Sequence, residues 1–550
     1  MHTLYLQNKI APQVKAHLAP MDLSGTSTDT AAFHQALARI VSGKSIVGFG
    51  EATHGTAEFE RAFALITRKL VREQGFNVVV FAEMNFADTW QLNKYVLQDS
   101  GETEVGFHTP YTFLQEDRLQ LIEWIHAYNR GKPAHEKVWF MGADVNTPNG
   151  AAHNALLYCS ENDISLPTET RAALTAIAQL PLYSQAEALR DSTSLKNILA
   201  KLAPLYQLVQ QHASQQDSLD LRQLWLAQSI ASLNSALKSY YAVSHTEDPF
   251  RDSTMYSNLK WVLAQRPDAK MLVYAHNKHI EKKLGISDLS PDLARLGWHI
   301  NQHHQKAFAV IGTEAWKGKY VYSAEGEATD IVNKAGKIGT TLAKATATPV
   351  GLIHLNATPE LTDFFNRKHT ITVGIASPAS MYSRTKELAE AFDAILYVRE
   401  SSPIKIRELY GFNLALELDR AKHANMLKSN SLILAGATSY TTLDSYQPGK
   451  GVKFTVNFLN KDKELISFKA APVLPDSKLD HEFVFPDATA YVLLSFTGEK
   501  VQEFSLADLT INGIPAKEKD LILSSKSYKK SYYKGNNMQA TSPTVIRVSL

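Results

Sequence analysis

Five segments of the sequence end in residues able to move protons or hold charge. GFGEATHG carries Glu51 and His54, NVVVFAEMN carries Glu83, KVWFMGADVN carries Asp144, KMLVYAHNKHI carries His276 and His279, and AFAVIGTE carries Glu314. In each, the polar residue follows a β-branched or aromatic run, and open α/β sheets place their ligands beyond the carboxyl ends of such strands. If these strands are neighbours, carboxylates and imidazoles converge on one crevice. An imidazole with a pKa of about 6.5 takes a proton from water near neutral pH, and a carboxylate on its other ring nitrogen fixes the tautomer. The chemistry predicted is hydrolysis by activated water, with His54 as base and Glu83 or Glu51 behind it. Arg251, in PFRDSTMYSNLKWV, and the His276 and His279 pair are the donors available to a developing oxyanion.

The same residues admit plainer roles. Glu51 can be a helix-start carboxylate satisfied by the macrodipole with Thr53 as the cap, Asp144 a capping or orienting group, and His276 or His279 a hydrogen-bonded structural residue. Glu and His together also suit Zn, Mn or Fe, so a metal- or haem-binding protein with His54, His276 and His279 as ligands is the second reading. Other common answers fail. The sequence has no GxSxG elbow, no Walker phosphate loop, no HExxH and no GxGxxG after a strand.

The elements that must position these residues read as an α/β domain. Strand-like runs beginning at Ser45, Asn77, Lys137, Lys270, Ala307, Pro349 and Thr370 alternate with helical stretches and look buried on both faces, which predicts a doubly wound, mostly parallel sheet. Gly48, Gly50 and Gly55 permit tight backbone geometry after the first of them. Between residues 166 and 245 no such run occurs, and SLKNILAKLAPLYQLV and LRQLWLAQSIASLNSALKSYY repeat apolar residues at helical spacing, predicting a helical insertion that caps the site. Near SSPIK the texture changes, and GVKFTVNFLN, ELISFKAAPV, HEFVFP, TAYVLLSFTG and EFSLADLTING alternate with period two. The expected organisation is a hydrolase domain over residues 1–405 and an antiparallel β-sandwich over 425–550. SSKSYKKSYYKGNN is basic and tyrosine-rich, as a solvated edge strand or flexible segment would be.

Composition narrows the classes. The 550 residues are 44% hydrophobic and 20% charged, enough apolar side chain for sizeable cores, and 57 basic against 55 acidic residues leave a net charge of +2 that calls for neither nucleic acid nor an anionic membrane. One cysteine, Cys159, excludes a disulfide framework and any zinc site built on several thiolates. The first twenty residues lack a signal-peptide core and no window is long and apolar enough to span a bilayer, so the expected location is the cytoplasm.

GEATHGTAEFERAF, a strand ending in FAE, RDSTMYSNLKWVL and YAHNKHI occur in this order between Ile46 and Val398, and together they resemble the erythromycin esterase family, which groups with haem-binding lipoprotein-like α/β proteins. The resemblance implies a metal-independent hydrolase, without cofactor, that opens a macrolide lactone by attack of water, as antibiotic-resistance esterases do. It implies His54 as general base and matches Glu51, Glu83, His276, His279 and Arg251 to the family's motifs, with Asp252, Met255 and Asn258 completing the helix face. Arg61 and Arg68 both compete for the arginine expected on the helix after the GExxHG turn, and with Asp144 and Glu314 they are the expected substrate contacts. The family is broader than its name, so the motifs point to hydrolysis of a small ester or lactone more firmly than to any one substrate. The sandwich lies outside the resemblance, and LADLTING near its end is similar to the last strand of carbohydrate-binding modules. An envelope-polysaccharide binding or modifying protein is a third reading, and a structural or dimerising sandwich the plainer one.

Overall fold

The computed structural model describes residues 2–24, 31–99, 115–178, 192–216, 220–243, 250–283, 294–321, 328–331, 336–375, 381–405, 411–427, 431–442, 452–463, 465–473, 477–499, 501–515, 537–542 and 545–549. The chain divides into one compact unit of residues 1–99 and 109–405 and a second of residues 100–108 and 406–550.

The strands of the first unit are β1 (Leu18–Pro20), β2 (Ile46–Glu51), β3 (Val78–Asn85), β4 (Trp139–Asp144), β5 (Met271–His276), β6 (Phe308–Tyr320), β7 (Thr329–Asp330), β8 (Val350–His354), β9 (His369–Ile375), β10 (Met381–Lys386) and β11 (Ala394–Ser401). Nine of them build one sheet in the order β1-β8-β11-β6-β2-β5-β3-β4, with β7 beside β6. From β11 through β6, β2, β5 and β3 to β4 every pairing is parallel, while β8 runs antiparallel to β11 and β1 to β8. Every residue of β2, β4 and β5 is buried, as expected of strands covered by helices on both sides. The helix Ala57–Gln74 connects β2 to β3 and helix Arg251–Gln265 leads into β5, so chain reversals occur at the edge where β2, β5 and β3 end. In that register Glu51 on β2 stands opposite His276 on β5.

Two details depart from the sequence reading. The run from Thr370 is β9, which pairs antiparallel with β10 in a separate two-stranded sheet instead of joining the parallel sheet. Between β8 and β6 stands β11, which was not among the expected strands and whose AILYV run has the same apolar character. A short apolar run does not itself state which sheet it enters; backbone partners decide that.

The expected insertion is helical: Thr168–Ala178, Ser192–Ser214 and Leu221–Val243. Leu174, Leu202, Leu205, Ile230 and Leu237 pack in a core shared with Ala155 and Tyr158 of helix Asn149–Glu161, which therefore belongs to the insertion. No described helix is long and apolar enough to cross a membrane.

The second unit holds two antiparallel sheets. One has the order Gly411–Asp419, Tyr491–Glu499, Val452–Leu459, Leu465–Val473; the other contains Ser431–Thr442 between Ser477–Val484 and Val501–Ile511, followed by Val545–Ser549 and Asn537–Ser542. Phe454, Val456 and Leu494 of the first sheet share a core with Leu432, Leu434 and Leu506 of the second, which is a sandwich. Residues 524–536 of the basic tyrosine-rich stretch lie outside the described residues.

Candidate active site

Parallel pairing brings the ends of β2, β5, β3 and β4 side by side, and with them Glu51, His276, Glu83 and Asp144. β2 ends in a tight turn before helix Ala57–Gln74. Gly55 takes φ +70, and a Cβ there would sit 1.8 Å from the Val321 carbonyl oxygen; one on Gly50 would sit 2.2 Å from Asn277 Oδ1. These two positions require glycine. The helix is preceded by Thr56, whose side chain makes no capping bond, and Thr53 Oγ1 bonds Thr56 Oγ1 at 2.5 Å. Glu51 thus lies several residues ahead of the helix start, and Thr53 is not its N-cap.

Three histidines meet at this edge, each with a carboxylate on Nδ1. His54 pairs with Glu51 Oε1, His276 with Glu83 Oε1 at 2.8 Å, and His279 with Asp252 Oδ1 at 2.7 Å. The His54 and His276 ring centres are 3.8 Å apart, and His276 Nε2 lies 3.9 Å from Glu51 Oε1. His279 Nε2 lies 3.6 Å from Glu83 Oε1. Among the described residues neither His276 Nε2 nor His279 Nε2 has a hydrogen-bond partner, although both are buried. His54 is the open member, its side chain 37% exposed against 4% and 1% for His276 and His279.

The positioning groups are local and strong. The His276 backbone N–H donates to Glu83 Oε2 at 2.7 Å, so Glu83 holds that residue at two points. Asn277 follows at once: its amide donates to the carbonyls of Thr313 and Thr372 and its Oδ1 accepts from the Thr313 N–H. This clamps the turn after β5 to β6 and β9, and the short helix Asn277–Ile280 then sets His279 beneath the site. Asp252 accepts from the Leu296 N–H and from Arg295 as well as from His279. Its helix neighbour Arg251 grips Asp144 through Nε at 2.9 Å and Nη2 at 2.7 Å, and Nη2 also lies 3.7 Å from Glu83 Oε1. Met255 is core, and Asn258 ties the helix to the Ala143 carbonyl while accepting from Gln228 and Ser232 of the insertion.

Electrostatics separates the three histidines. Burial disfavours the charged form of His54, but the charges of Glu51 and Glu83 outweigh it and raise its pKa above 6.5. Burial dominates for the other two, lowering His276 and pushing His279 down to about 4 against the pull of their carboxylates. Glu83 is buried too, yet His276, His279 and His54 hold it well below the ordinary carboxylate value. Burial lifts Asp144 despite Arg251. With ionised Glu83 and Asp252 on Nδ1, the neutral His276 and His279 carry their proton there, and each offers a bare Nε2.

The structure therefore brings together Glu51, His54, Glu83, His276, His279, Arg251 and Asp144. Three expected contacts lie apart. Arg61 Nε bonds Asp117 at 3.1 Å, the Arg68 guanidinium stacks over Trp124 with its centre 5.9 Å from the ring, and Glu314 accepts from Thr372 N–H and hydroxyl beside Lys337. The arginine that reaches beneath Glu51 is Arg118, from helix Glu116–Asn129, which pairs with Glu60. Sequence reasoning passed over Arg118, Glu60, Tyr274 and Asn277. Asn277 and Glu60 lie inside the motifs YAHNKHI and GEATHGTAEFERAF, and Tyr274 lies two residues before His276 and so shares its face of the strand, which leaves Arg118 without a signal.

The erythromycin esterase family profile matches residues 71–401, which includes Glu83, Arg251, His276 and His279 and begins after Glu51 and His54. Two curated relatives are the Bacillus subtilis (strain 168) protein named "Putative hydrolase YbfO", 22% identical over 425 residues covering 71% of this chain and 90% of its own, and the Escherichia coli erythromycin esterase type I, 24% identical over 273 residues covering 45% and 64%. Among solved structures the fold is similar to that of a Bacillus cereus protein (TM-score 0.60, 22% identity, 73% of this chain and 99% of that one). It is also similar to a succinoglycan biosynthesis protein (0.61, 18%, 73% and 99%) and to a mutant of the erythromycin esterase EreC in its open conformation (0.56, 18%, 71% and 98%). With the family profile matched over more than half of its length, this chain belongs to the erythromycin esterase family.

Proposed function

We propose that this protein is a hydrolase that cleaves a carboxylic ester, with a macrolide lactone as one candidate, by water activated at His54 and without a metal. The observation that carries the proposal is the contrast among the three histidines: His54 alone is only half-buried, and carboxylate charge makes it the most basic of them. Family membership and the provisionally named hydrolase relative support hydrolysis at the level of reaction class.

In this reading Glu51 holds the His54 Nδ1–H and Nε2 takes a proton from water as it attacks the ester carbonyl; protonated His54 then returns that proton to the leaving alkoxide. Arg251, fixed on Asp144, is the donor to the developing oxyanion. Neutral His276 and His279 accept at Nε2 and so orient water or a substrate hydroxyl; they become donors only when protonated. Glu83 anchors His276 and adds negative charge that favours protonated His54. The chemistry is assigned to residues 1–405 and an accessory role to residues 425–550.

A specific observation favours a second reading. Single ligand atoms of Glu51, His54 and His276, and of Glu83, His276 and His279, lie within 4.8 Å of one another, and two of the Nε2 atoms have no partner among the described residues. Either group can hold a divalent cation of the kind that imidazole and carboxylate suit.

One experiment separates the readings: mass spectrometry of fourteen-membered macrolides and simple esters after incubation with wild type and His54→Ala, each with and without chelator. The proposal expects a gain of one water, a loss of about 100- to 10,000-fold in His54→Ala, and no effect of chelator. Activity lost with chelator and restored by metal supports the second reading.

A further inference from the structure

Away from the catalytic turn, helix Ala57–Gln74 meets helix Glu116–Asn129 along a strip of cations and aromatic rings. Arg68 stands about 16 Å along the first helix from Ala57, at a rise of about 1.5 Å per residue. The Arg72 guanidinium is centred 5.2 Å from the middle of the Trp124 ring and that of Arg68 5.9 Å from it. Tyr128, one turn on from Trp124, stacks on it at 5.3 Å, and Lys132 Nζ lies 4.1 Å from the centre of the Tyr128 ring. Arg68 and Trp124 are half-buried, and Arg72 is exposed. These cations lack counter-ions. Among the described residues the guanidiniums of Arg68 and Arg72 and the Lys132 ammonium make no ion pair and no hydrogen bond, and Arg68 Nε is buried without an acceptor. The carboxylates of Asp117 and Glu73 are held elsewhere, Asp117 by Arg61 Nε at 3.1 and 3.2 Å and Glu73 by Lys69 Nζ at 2.7 and 2.6 Å. Like charges four residues apart on a helix repel. Burial and the Arg72 charge accordingly lower the pKa of Arg68, with Asp117 pulling the other way. The helix end offsets part of the charge of Arg72 in the last turn, an effect that fades by Arg68.

We propose that Arg68 and Arg72, seated on the Trp124 ring, bind an oxyanion of the phosphate class, as the free ion or as the head of a small phosphate ester. A ring contact occupies the face of a guanidinium, whereas its N–H groups lie in the plane and stay available to an acceptor. Two such forks offer paired donors to a tetrahedral dianion whose charge matches theirs; a carboxylate brings one charge and one pair of oxygens. Contact with Trp124 limits the arginine rotamers before any ligand arrives, so less freedom is lost on binding. The orphaned Arg68 Nε fits the same assignment, because buried donors nearly always have an acceptor. Tyr128 and Lys132 carry the strip beyond the pair and give an aromatic ester a ring and a further cation to lie against. The site shares no residue with the histidine cluster and does not depend on how that cluster reacts.

Calorimetric titration of the full-length protein with inorganic phosphate and with phenyl phosphate tests the site, at constant ionic strength and at pH 8, where both are mostly dianions. Wild type should show saturable one-to-one binding, and sodium chloride none. Arg68→Gln and Arg72→Gln should each weaken binding about tenfold or more, and Arg72→Lys, which keeps the charge and loses the fork, by less. Arg251→Gln, in the catalytic crevice, should bind as wild type does. Affinity for phenyl phosphate no higher than for inorganic phosphate assigns the site to the free ion; a higher one that Tyr128→Ala removes assigns it to an ester. Phosphate should also raise the thermal midpoint of wild type and leave that of the Arg68→Gln, Arg72→Gln double variant unmoved, a scan that shows at the same time whether the variant is folded. No saturable binding in wild type, or binding that persists unchanged in the folded double variant, overturns the proposal.

Discussion

His54 lies against Glu51 with Glu83 close by, and their charge outweighs burial in setting its proton affinity. The sign matters for activity. A base must be neutral to act, and a raised pKa means that neutral His54 accumulates only above the ordinary imidazole value of 6.5. The acid limb of kcat/KM against pH therefore lies above 6.5, and Glu83→Gln, which removes a negative charge facing His54, moves it down. His276 and His279 have the opposite shift. Their folded-state values lie below 6.5, so the unfolded chain binds protons that the folded one does not. Stability falls as pH drops from 6.5 toward about 4, the value for His279. Thermal scans at fixed ionic strength across that window should show the midpoint falling steadily with pH; a flat profile would contradict neutral burial of the pair.

Among the elements, the turn after β5 does the most positioning in the fewest residues. Asn277 makes three hydrogen bonds from a fully buried side chain, to β6 and to β9. Asn277→Ala leaves two carbonyls and one N–H without partners, at a cost of about 1–3 kcal/mol for each group. We expect a thermal midpoint lower by several degrees, together with lost turnover as His276 and His279 lose their seat. Asn277→Asp keeps the acceptor for the Thr313 N–H and is milder at that contact but repels both carbonyls.

The strand ends were legible because a buried parallel strand is a continuous apolar run, and a charged residue at its end stands out; Glu51, Glu83, Asp144 and His276 were found that way. Arg118 was not legible. It comes from helix Glu116–Asn129, whose sequence shows ordinary helical residues, and only packing against Phe81 and Glu60 brings it under the site. Arg61 and Arg68 lie on the helix that the family pattern favours, but helix geometry turns them toward Asp117 and Trp124.

On the scale of the whole molecule, each unit has a hydrophobic core of its own among the described residues: Leu416, Leu432, Phe454 and Leu494 in the second, Val80, Val273 and Val310 in the first. Two cores need not melt together, and calorimetry should give a measured enthalpy larger than the van't Hoff value of a single transition. The change from apolar runs to period-two alternation made the sandwich legible as a fold. A role for it is not written in that alternation, because a sandwich face gains its specificity from loops and side chains placed after folding.

Attack of His54-activated water on an ester carbonyl is followed by single-turnover hydrolysis in heavy-oxygen water with the substrate that the mass-spectrometric panel identifies. Wild type should place one heavy oxygen in the product carboxylate with or without chelator, and His54→Ala almost none. Incorporation that proceeds equally well without His54, or that stops when metal is removed, would contradict it.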